Sequence, residues 1–386
     1  MAPQRVRAAT LVSPGRYEVR EYPLPEPAPG CVLIKMALSG ICGTDKHTYQ
    51  GYTTQYAGTE SPKEIPFPII QGHENVGTVA AIGGDGVYTD VEGIPLAVGD
   101  RVVVGANVVC GQCYYCRRDF PYYYCQNMVD YGNNMSAATP PHLFGGWSQY
   151  LYVVPGSFLV RVPDDLPTEV AVLTEVMAVA VGLDRAKQFS AVPNESFLFD
   201  DTVVAMGVGP LGMCFLMKAR MLGAGTIIAV DLSAYRLEMA KKLGADHTIN
   251  AAETTTAERL AFVRDLTHGR GADVVVECAG VPQVIPECLD LLRVGGMLVE
   301  AGNFSDLGEV AISPHRHLCS KNVRILGVGG EEAASYGPSM RQMARYMRHY
   351  PVREFVSHRY RLDDVDAAVR ASIAPDSMKV VIDPWA

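Results

Sequence analysis

The amino-acid sequence predicts a two-domain α/β protein, and three observations lead to this fold class. The chain has 386 residues, enough for two or three domains. Its first 160 or so residues consist of short β-branched runs between Gly and Pro turns, whereas strands and helices alternate from about residue 200 to residue 330. A composition of 48% apolar and 19% charged residues is typical of a folded globular protein.

The N-terminal part is predicted to be an antiparallel, barrel-like domain. Its clearest strand candidates are the runs CVLIKMALSG, ENVGTVAAIG and DRVVVGANVV, each bounded by turn residues. Residues 49–67 and 130–146 have no clear period, and we expect both segments to be exposed loops.

The pattern changes to helical spacing after Pro167, and residues 168–189 are predicted to be helical. Strand and helix patterns then alternate: TVVAMGVGP precedes LGMCFLMKARMLG, TIIAVD precedes YRLEMAKKLG, and ADVVVECAG precedes VIPECLDLLR. This βαβ alternation predicts a parallel, doubly wound sheet over residues 177–330. The tail, residues 331–386, is predicted to return to the first domain, residues 1–176.

Composition also excludes some classes of function. The net charge of −9 provides no general attraction to nucleic acid or to an anionic membrane. We find no apolar run of about 18 residues and no apolar stretch after the start, MAPQRVRAAT, that would predict a membrane span or a signal peptide. We therefore expect a cytoplasmic protein that binds neither nucleic acid nor membrane.

A glycine-rich motif indicates a dinucleotide site. Gly207, Gly209 and Gly212 form G-x-G-x-x-G, with Pro210 and Leu211 inside it, and the motif follows an apolar strand and opens a helix. The first glycine permits a tight turn, the second lets the pyrophosphate approach the backbone, and the third allows close packing of helix and strand. The helix N-terminus then provides N–H groups for the phosphates.

Asp231 ends the next strand, nineteen residues after the last glycine of the motif. A carboxylate there can accept hydrogen bonds from the ribose hydroxyls and would repel a 2′-phosphate, which favours NAD over NADP. Arg236 follows closely and could screen a phosphate, so NADP stays open as the alternative.

Two polar segments carry candidate metal ligands. GICGTDKH contains Cys42 and IIQGHENVG contains His73, each beside a strand of the first domain, and thiolate and imidazole are ligands that zinc prefers. A catalytic zinc site needs a third protein ligand. Glu175, in VLTEVMAV, is the candidate, and a helix-surface carboxylate is the alternative for it.

Four of the ten cysteines lie within sixteen residues. Cys110, Cys113, Cys116 and Cys125 have the spacing C-x2-C-x2-C-x8-C, which is typical of a closed four-cysteine zinc site. A redox C-x-x-C pair is the alternative, but it would leave the other cysteines unexplained.

Taken together, these motifs resemble the zinc-dependent medium-chain alcohol/polyol dehydrogenase family, over essentially the whole chain. The segments that carry the resemblance are GICGTDKH, GHENVG, the cysteine lobe, FGGWSQYLYV, GVGPLG and HGRGADVVVECAG. The resemblance implies a GroES-like β-barrel catalytic domain over residues 1–176, completed by residues 331–386, and a Rossmann NAD-binding domain over residues 177–330.

The resemblance also implies roles for individual residues. Cys42 and His73 would bind a catalytic zinc, Glu175 would be its third ligand as in polyol-type members, and Glu74 would be a carboxylate near the metal. The cysteine lobe would hold a second, structural zinc.

The chemistry implied is hydride transfer between an alcohol and NAD. Thr44 would contact the substrate hydroxyl and pass its proton through the cofactor ribose to His47, whose imidazole titrates near neutral pH. Asp45 would hydrogen-bond a ligating imidazole and fix its orientation. The substrate is expected to be a secondary alcohol or a polyol, and the direction of the reaction stays open.

Two features depart from the family pattern. The x8 gap in the cysteine lobe is one residue longer than the commonest spacing, and the loop between His47 and Pro66 is longer than the compact version, which makes it a candidate cover for the substrate. The alternative functions are a zinc-free NADPH reductase of the same superfamily and a non-catalytic dinucleotide-binding protein. A homodimer or homotetramer is expected, with VRILGVGG as a candidate edge strand between subunits.

Overall fold

A computed structural model describes residues 4–188, 195 and 197–386. The chain divides into two units, the first comprising Met1–Glu175 with Glu332–Ala386 and the second comprising Val176–Glu331. The predicted α/β fold class is confirmed, including the return of the C-terminal segment to the first unit. No described helix is both long enough and apolar enough to cross a membrane.

The N-terminal part of the first unit consists mainly of short antiparallel strands, because its β-branched runs are interrupted by turn residues. The described strands are β1 (Arg5–Ser13), β2 (Arg16–Pro23), β3 (Val32–Gly40), β4 (Thr54–Gln55), β5 (Lys63–Glu64), β6 (Ile69–Ile70), β7 (Glu74–Ile82), β8 (Arg101–Val104), β9 (Asn107–Val108), β10 (Val129–Asp130), β11 (Tyr150–Val153) and β12 (Leu159–Arg161). The helices are α1 (Gly43–Gln50) and α2 (Thr168–Ala171).

The second unit has a parallel sheet, as the βαβ alternation predicted. Its described elements are α3 (Thr174–Ala180, which begins in the first unit), α4 (Asp184–Gln188), β13 (Thr202–Met206), α5 (Pro210–Met221), β14 (Thr226–Asp231), α6 (Ala234–Lys242), β15 (His247–Asn250), α7 (Thr256–Leu266), β16 (Ala272–Glu277), α8 (Ile285–Leu291), β17 (Leu292–Glu300) and β18 (Arg324–Gly327). The strand order is β15-β14-β13-β16-β17-β18, the order of a doubly wound dinucleotide-binding sheet, which reverses beside β13.

The C-terminal segment completes the main sheet of the first unit. It contains α9 (Ala333–Tyr346), β19 (Val356–Arg361), α10 (Val365–Ile373) and β20 (Lys379–Asp383). β20 pairs antiparallel with β3, and the sheet order is β12-β8-β7-β3-β20-β19, with β11 also paired to β3. The last strand of the chain therefore lies beside the strand that leads to Cys42.

Two local predictions need correction. Residues 130–146 were expected to be an exposed loop, but Tyr131 and Leu143 are fully buried in the core of the first unit. The helical segment predicted for residues 168–189 is divided into α2, α3 and α4, and residue 189 lies outside the described residues. The Thr174 hydroxyl donates to the Ala171 carbonyl (2.6 Å), an acceptor that a continuous helix would use for its own backbone.

Candidate active site

The ends of two paired strands bring Cys42 and His73 together. β3 and β7 run antiparallel with Gly40 opposite Glu74. Cys42 is the N-cap of α1, two residues after β3, and His73 immediately precedes β7. The ligand atoms of Cys42, His73 and Glu74 all lie within 4.8 Å of one another. The strand register therefore joins residues that are distant in sequence into one cluster.

The thiol and the imidazole of this cluster change each other's protonation. Burial raises the pKa of the Cys42 thiol, but the adjacent His73 outweighs this effect, and the pKa is lowered overall. Burial lowers the pKa of His73, but Asp45 and Cys42 outweigh it, and the pKa lies well above its ordinary value. The cluster thus favours the thiolate, which is the form of cysteine that binds metals.

Helix α1 places Asp45 between these two residues. One carboxylate oxygen, Oδ2, accepts a hydrogen bond from the Cys42 backbone N–H (2.8 Å) and caps the helix. The other oxygen, Oδ1, is buried, lies 3.8 Å from Nδ1 of His73, and has no hydrogen-bond partner. Asp45 is therefore near the imidazole but beyond hydrogen-bonding distance of it, and its predicted role in orienting that ring stays a prediction.

The same helix carries Thr44 and His47. The Thr44 hydroxyl oxygen is buried and has no hydrogen-bond partner. Burial and the neighbouring Lys46 lower the pKa of His47, which favours its neutral imidazole. Thr44 and His47 thus lie on one helix, and their part in a proton relay stays a prediction.

Lys379 is a residue of this cluster that the sequence analysis missed. Its ammonium lies 2.5 and 2.6 Å from the two carboxylate oxygens of Glu74, and both side chains are buried. The Lys379 Nζ also donates to the Ile41 carbonyl (3.3 Å). No local pattern marks Lys379, because β20 reaches Glu74 only through its pairing with β3.

Glu175 lies near the cluster but outside the 4.8 Å group that includes Glu74. It belongs to the first turn of α3 and is buried. Burial lowers the pKa of Lys379, but Glu74, Cys42 and Glu175 together raise it above its ordinary value. Glu175 is therefore a buried carboxyl group close to the cluster, and the alternative of an exposed carboxylate on a helix surface is wrong.

The four lobe cysteines converge on one point. Their sulfur atoms all lie within 4.8 Å of one another, with Cys113 Sγ 3.5 Å and Cys110 Sγ 4.0 Å from Cys116 Sγ. A tetrahedral zinc with Zn–S bonds of about 2.3 Å separates its sulfurs by about 3.8 Å. Hydrogen bonding from the Gln112 backbone lowers the pKa of Cys110 to about 6, which favours a thiolate there, whereas burial raises the pKa of Cys116 to about 12. This donor set fits a closed zinc site despite its longer x8 gap.

The long loop after His47 contacts this lobe. β4 and β5 form a hairpin in which Thr54 pairs with Glu64. Tyr56, in its turn, packs against the lobe, and the Lys63 ammonium donates to the Met128 carbonyl (2.5 Å). The segment proposed as a cover for the substrate is thus anchored on the cysteine lobe.

Each position of the dinucleotide motif requires glycine for a different geometric reason. Gly207 has φ +82°, and a Cβ there would lie 2.5 Å from the Ala279 backbone nitrogen. A Cβ at Gly212 would overlap the Gly207 carbonyl. At Gly209, the N-cap of α5, the nearest atom to a Cβ would be 3.9 Å away, so a ligand can approach the backbone there. Pro210 and Leu211 form the first turn of α5.

Asp231 ends β14 beside this turn. Its carboxylate accepts hydrogen bonds from the backbone N–H of Val208 (2.8 Å) and of Ser233 (2.9 Å). Arg236, on α6, supplies the atom that lies 3.9 Å from a Cβ at Gly209. A negative and a positive side chain therefore both border the glycine turn.

Both units match known family models. Residues 28–164 match the alcohol dehydrogenase GroES-like domain, and residues 210–347 match the zinc-binding dehydrogenase domain. The chain belongs to the zinc-binding alcohol dehydrogenase family. Cys42, His73 and the four lobe cysteines lie inside the first match, whereas Glu175 lies between the two.

Individual members of the family resemble this chain over most of its length. The 5-exo-hydroxycamphor dehydrogenase of Pseudomonas putida is 34% identical over 98% of this chain and 99% of its own. The erythritol/L-threitol dehydrogenase of Mycolicibacterium smegmatis is 34% identical over 78% and 77%. The crystal structure of an alcohol dehydrogenase from Thermotoga maritima, 28% identical, superposes with a TM-score of 0.87 over 98% of this chain and 99% of that one.

Proposed function

We propose that this protein is an NAD-dependent dehydrogenase that interconverts a secondary alcohol or polyol and its carbonyl product at a catalytic zinc. The observation that carries the proposal is the cluster of Cys42 and His73, in which Glu74 is neutralised by Lys379. The relatives named as hydroxycamphor and erythritol/L-threitol dehydrogenases support this range of substrates.

The ligand set that we propose is Cys42, His73 and Glu175. Both oxygens of Glu74 are engaged by Lys379, so Glu74 would stay paired beside the metal rather than bind it. Glu175 is a second buried carboxyl group near the cluster, and with Cys42 and His73 it would make three protein ligands and an open position. A zinc ion held there would act as a Lewis acid on the oxygen of the substrate.

The chain's own residues would move the proton. Thr44 has an unpartnered buried hydroxyl that can accept the substrate proton and pass it on. His47, whose lowered pKa favours the neutral imidazole, would receive the proton and release it.

NAD is the proposed cofactor because Asp231 places a carboxylate at the end of β14, where a 2′-phosphate would be repelled. Arg236 favours NADP as the second candidate, since its positive charge borders the same turn. Initial rates with each cofactor at equal concentration would decide between them, and a preference for NADP would overturn this part of the proposal.

The first test is NADH formation across ring alcohols, acyclic secondary alcohols, polyols and primary alcohols, with and without a chelator. We expect activity that the chelator removes and that added zinc restores. Full activity in protein verified to contain no metal would overturn the zinc mechanism.

The ligand assignment is tested with the matched pair Glu175→Gln and Glu74→Gln. We expect the parent to hold two zinc ions per chain, Glu175→Gln to keep only the lobe zinc after dialysis, and Glu74→Gln to keep both. If Glu74→Gln loses zinc and Glu175→Gln retains it, the third ligand is Glu74 instead.

We also propose a homodimer or homotetramer and a cytoplasmic location. Strand β18, at one edge of the parallel sheet, carries half-exposed Ile325 and could pair with a second copy. Light scattering after size exclusion tests the assembly, and a monomer would refute it. The reduced cysteines that a zinc lobe requires support the location, which cell fractionation tests.

A further inference from the structure

Two glycines place an unassigned polar residue next to His73. Gly132 has φ +76°, and a Cβ there would lie 2.7 Å from backbone atoms of Gly72, which itself has φ +96°. The Gly132 N–H donates to the Phe144 carbonyl (2.7 Å), so the segment is fixed in this position. This close backbone approach brings Asn133 beside the imidazole of His73.

Asn133 is only 7% exposed, and its side chain contacts that ring directly. Its amide nitrogen lies 3.4 Å from Nδ1 of His73, and its amide oxygen is buried without a hydrogen-bond partner. The next residue, Asn134, makes side-chain hydrogen bonds that hold the loop, because its amide donates to Asp130 (2.8 Å) and to Gln55 (3.2 Å). The loop therefore does not depend on the Asn133 amide for its own hydrogen bonding.

The chemistry of a ligating histidine determines what this amide can do. A metal on Nε2 leaves a hydrogen on Nδ1, which must then be donated to an acceptor. The Asp45 carboxylate lies 3.8 Å from Nδ1, which is too long for a hydrogen bond, and the Asn133 amide lies closer. A half-turn of the amide exchanges its oxygen and nitrogen. After this rotation the amide nitrogen, rather than the amide oxygen, has no partner, and the oxygen can accept a hydrogen bond from the imidazole.

We infer that Asn133 is a positioning residue for His73. In the zinc-bound protein its amide oxygen accepts the Nδ1–H hydrogen bond and, together with Asp45, fixes the tautomer and the ring orientation of His73. The inference rests on the proposed zinc site and adds to it a residue that acts through the imidazole. It applies to a loop residue whose sequence context, DYGNN, suggested no role.

The test compares Asn133→Ala with Asn133→Asp, the matched variant that keeps an acceptor oxygen. Zinc affinity is measured by chelator competition, with the lobe zinc as an internal reference, and His73 geometry by the visible spectrum of Co²⁺-substituted protein. We expect Asn133→Ala to weaken the catalytic zinc by roughly 10- to 100-fold with an altered cobalt spectrum. Asn133→Asp should retain most of the parental affinity for the catalytic zinc.

The outcomes separate this inference from the proposed function. Two zinc ions per chain with parental affinity and cobalt spectrum in Asn133→Ala would overturn the inference alone. Equal loss of zinc in Asn133→Asp and Asn133→Ala would also overturn it, because the acceptor would then be irrelevant. A parent protein that holds only the lobe zinc would overturn the proposed function and the inference together.

Discussion

The buried ion pair between Lys379 and Glu74 makes a specific prediction for Lys379→Met. The ammonium lies 2.5 and 2.6 Å from the two carboxylate oxygens, and the side chains are 1% and 0% exposed. At an effective dielectric constant of about 20, two unit charges about 2.6 Å apart attract each other by roughly 6 kcal/mol before desolvation is subtracted. Removing one partner of such a pair leaves an uncompensated buried charge, which costs about 3–5 kcal/mol.

We therefore expect Lys379→Met to lower the free energy of unfolding by about 3–5 kcal/mol in urea or thermal unfolding. The double variant Glu74→Gln with Lys379→Met should recover part of this loss, because no buried charge remains unpaired. The matched control is Lys241→Met, which breaks the exposed Lys241–Glu238 pair and should cost less than about 1 kcal/mol. If Lys379→Met is no more destabilising than the control, the reasoning about this pair is wrong.

Three further predictions concern other parts of the molecule. Gly40→Ala would put a Cβ into the Glu74 carboxylate, and we expect a loss of about 1–3 kcal/mol in stability, whereas Gly43→Ala meets no atom within 4 Å and should be neutral by the same unfolding assay. Burial and the nearby Glu300 raise the pKa of Glu277 to about 8, so the native state binds this proton more tightly than the unfolded chain, and stability should fall as the pH rises from about 4.5 to about 8. Glu277→Gln should remove this contribution to the pH dependence of stability. If the unfolding midpoint of Glu277→Gln differs from that of the parent by the same amount at pH 5 and at pH 9, the assignment to Glu277 is wrong. Cys113→Ser should release the lobe zinc and lower the melting temperature while the second zinc stays bound, as metal analysis of the dialysed protein would show; loss of both ions would indicate that the sites are not independent.

Sequence patterns predicted the features whose causes are local. The βαβ alternation predicted the parallel sheet, because strand and helix periods are properties of consecutive residues. The glycine motif needs small residues at fixed offsets, and the overlap that a Cβ at Gly212 would cause shows the physical reason. The cysteine lobe is similarly compact in sequence, so its spacing alone indicated four sulfurs that could meet.

Only the tertiary structure revealed which distant residues join these motifs. Lys379 reaches Glu74, 305 residues away, because β20 pairs with β3 and β3 pairs with β7. Asn133 reaches His73 because Gly132 and Gly72 let two backbones approach closely. A lysine in a β-branched run and an asparagine in a polar loop are common in sequences, so neither carries a signal of its own. The sequence by itself determined the periods, the glycine turn and the metal-binding residue types, whereas strand register and backbone packing decided which charges and hydrogen-bonding groups surround them.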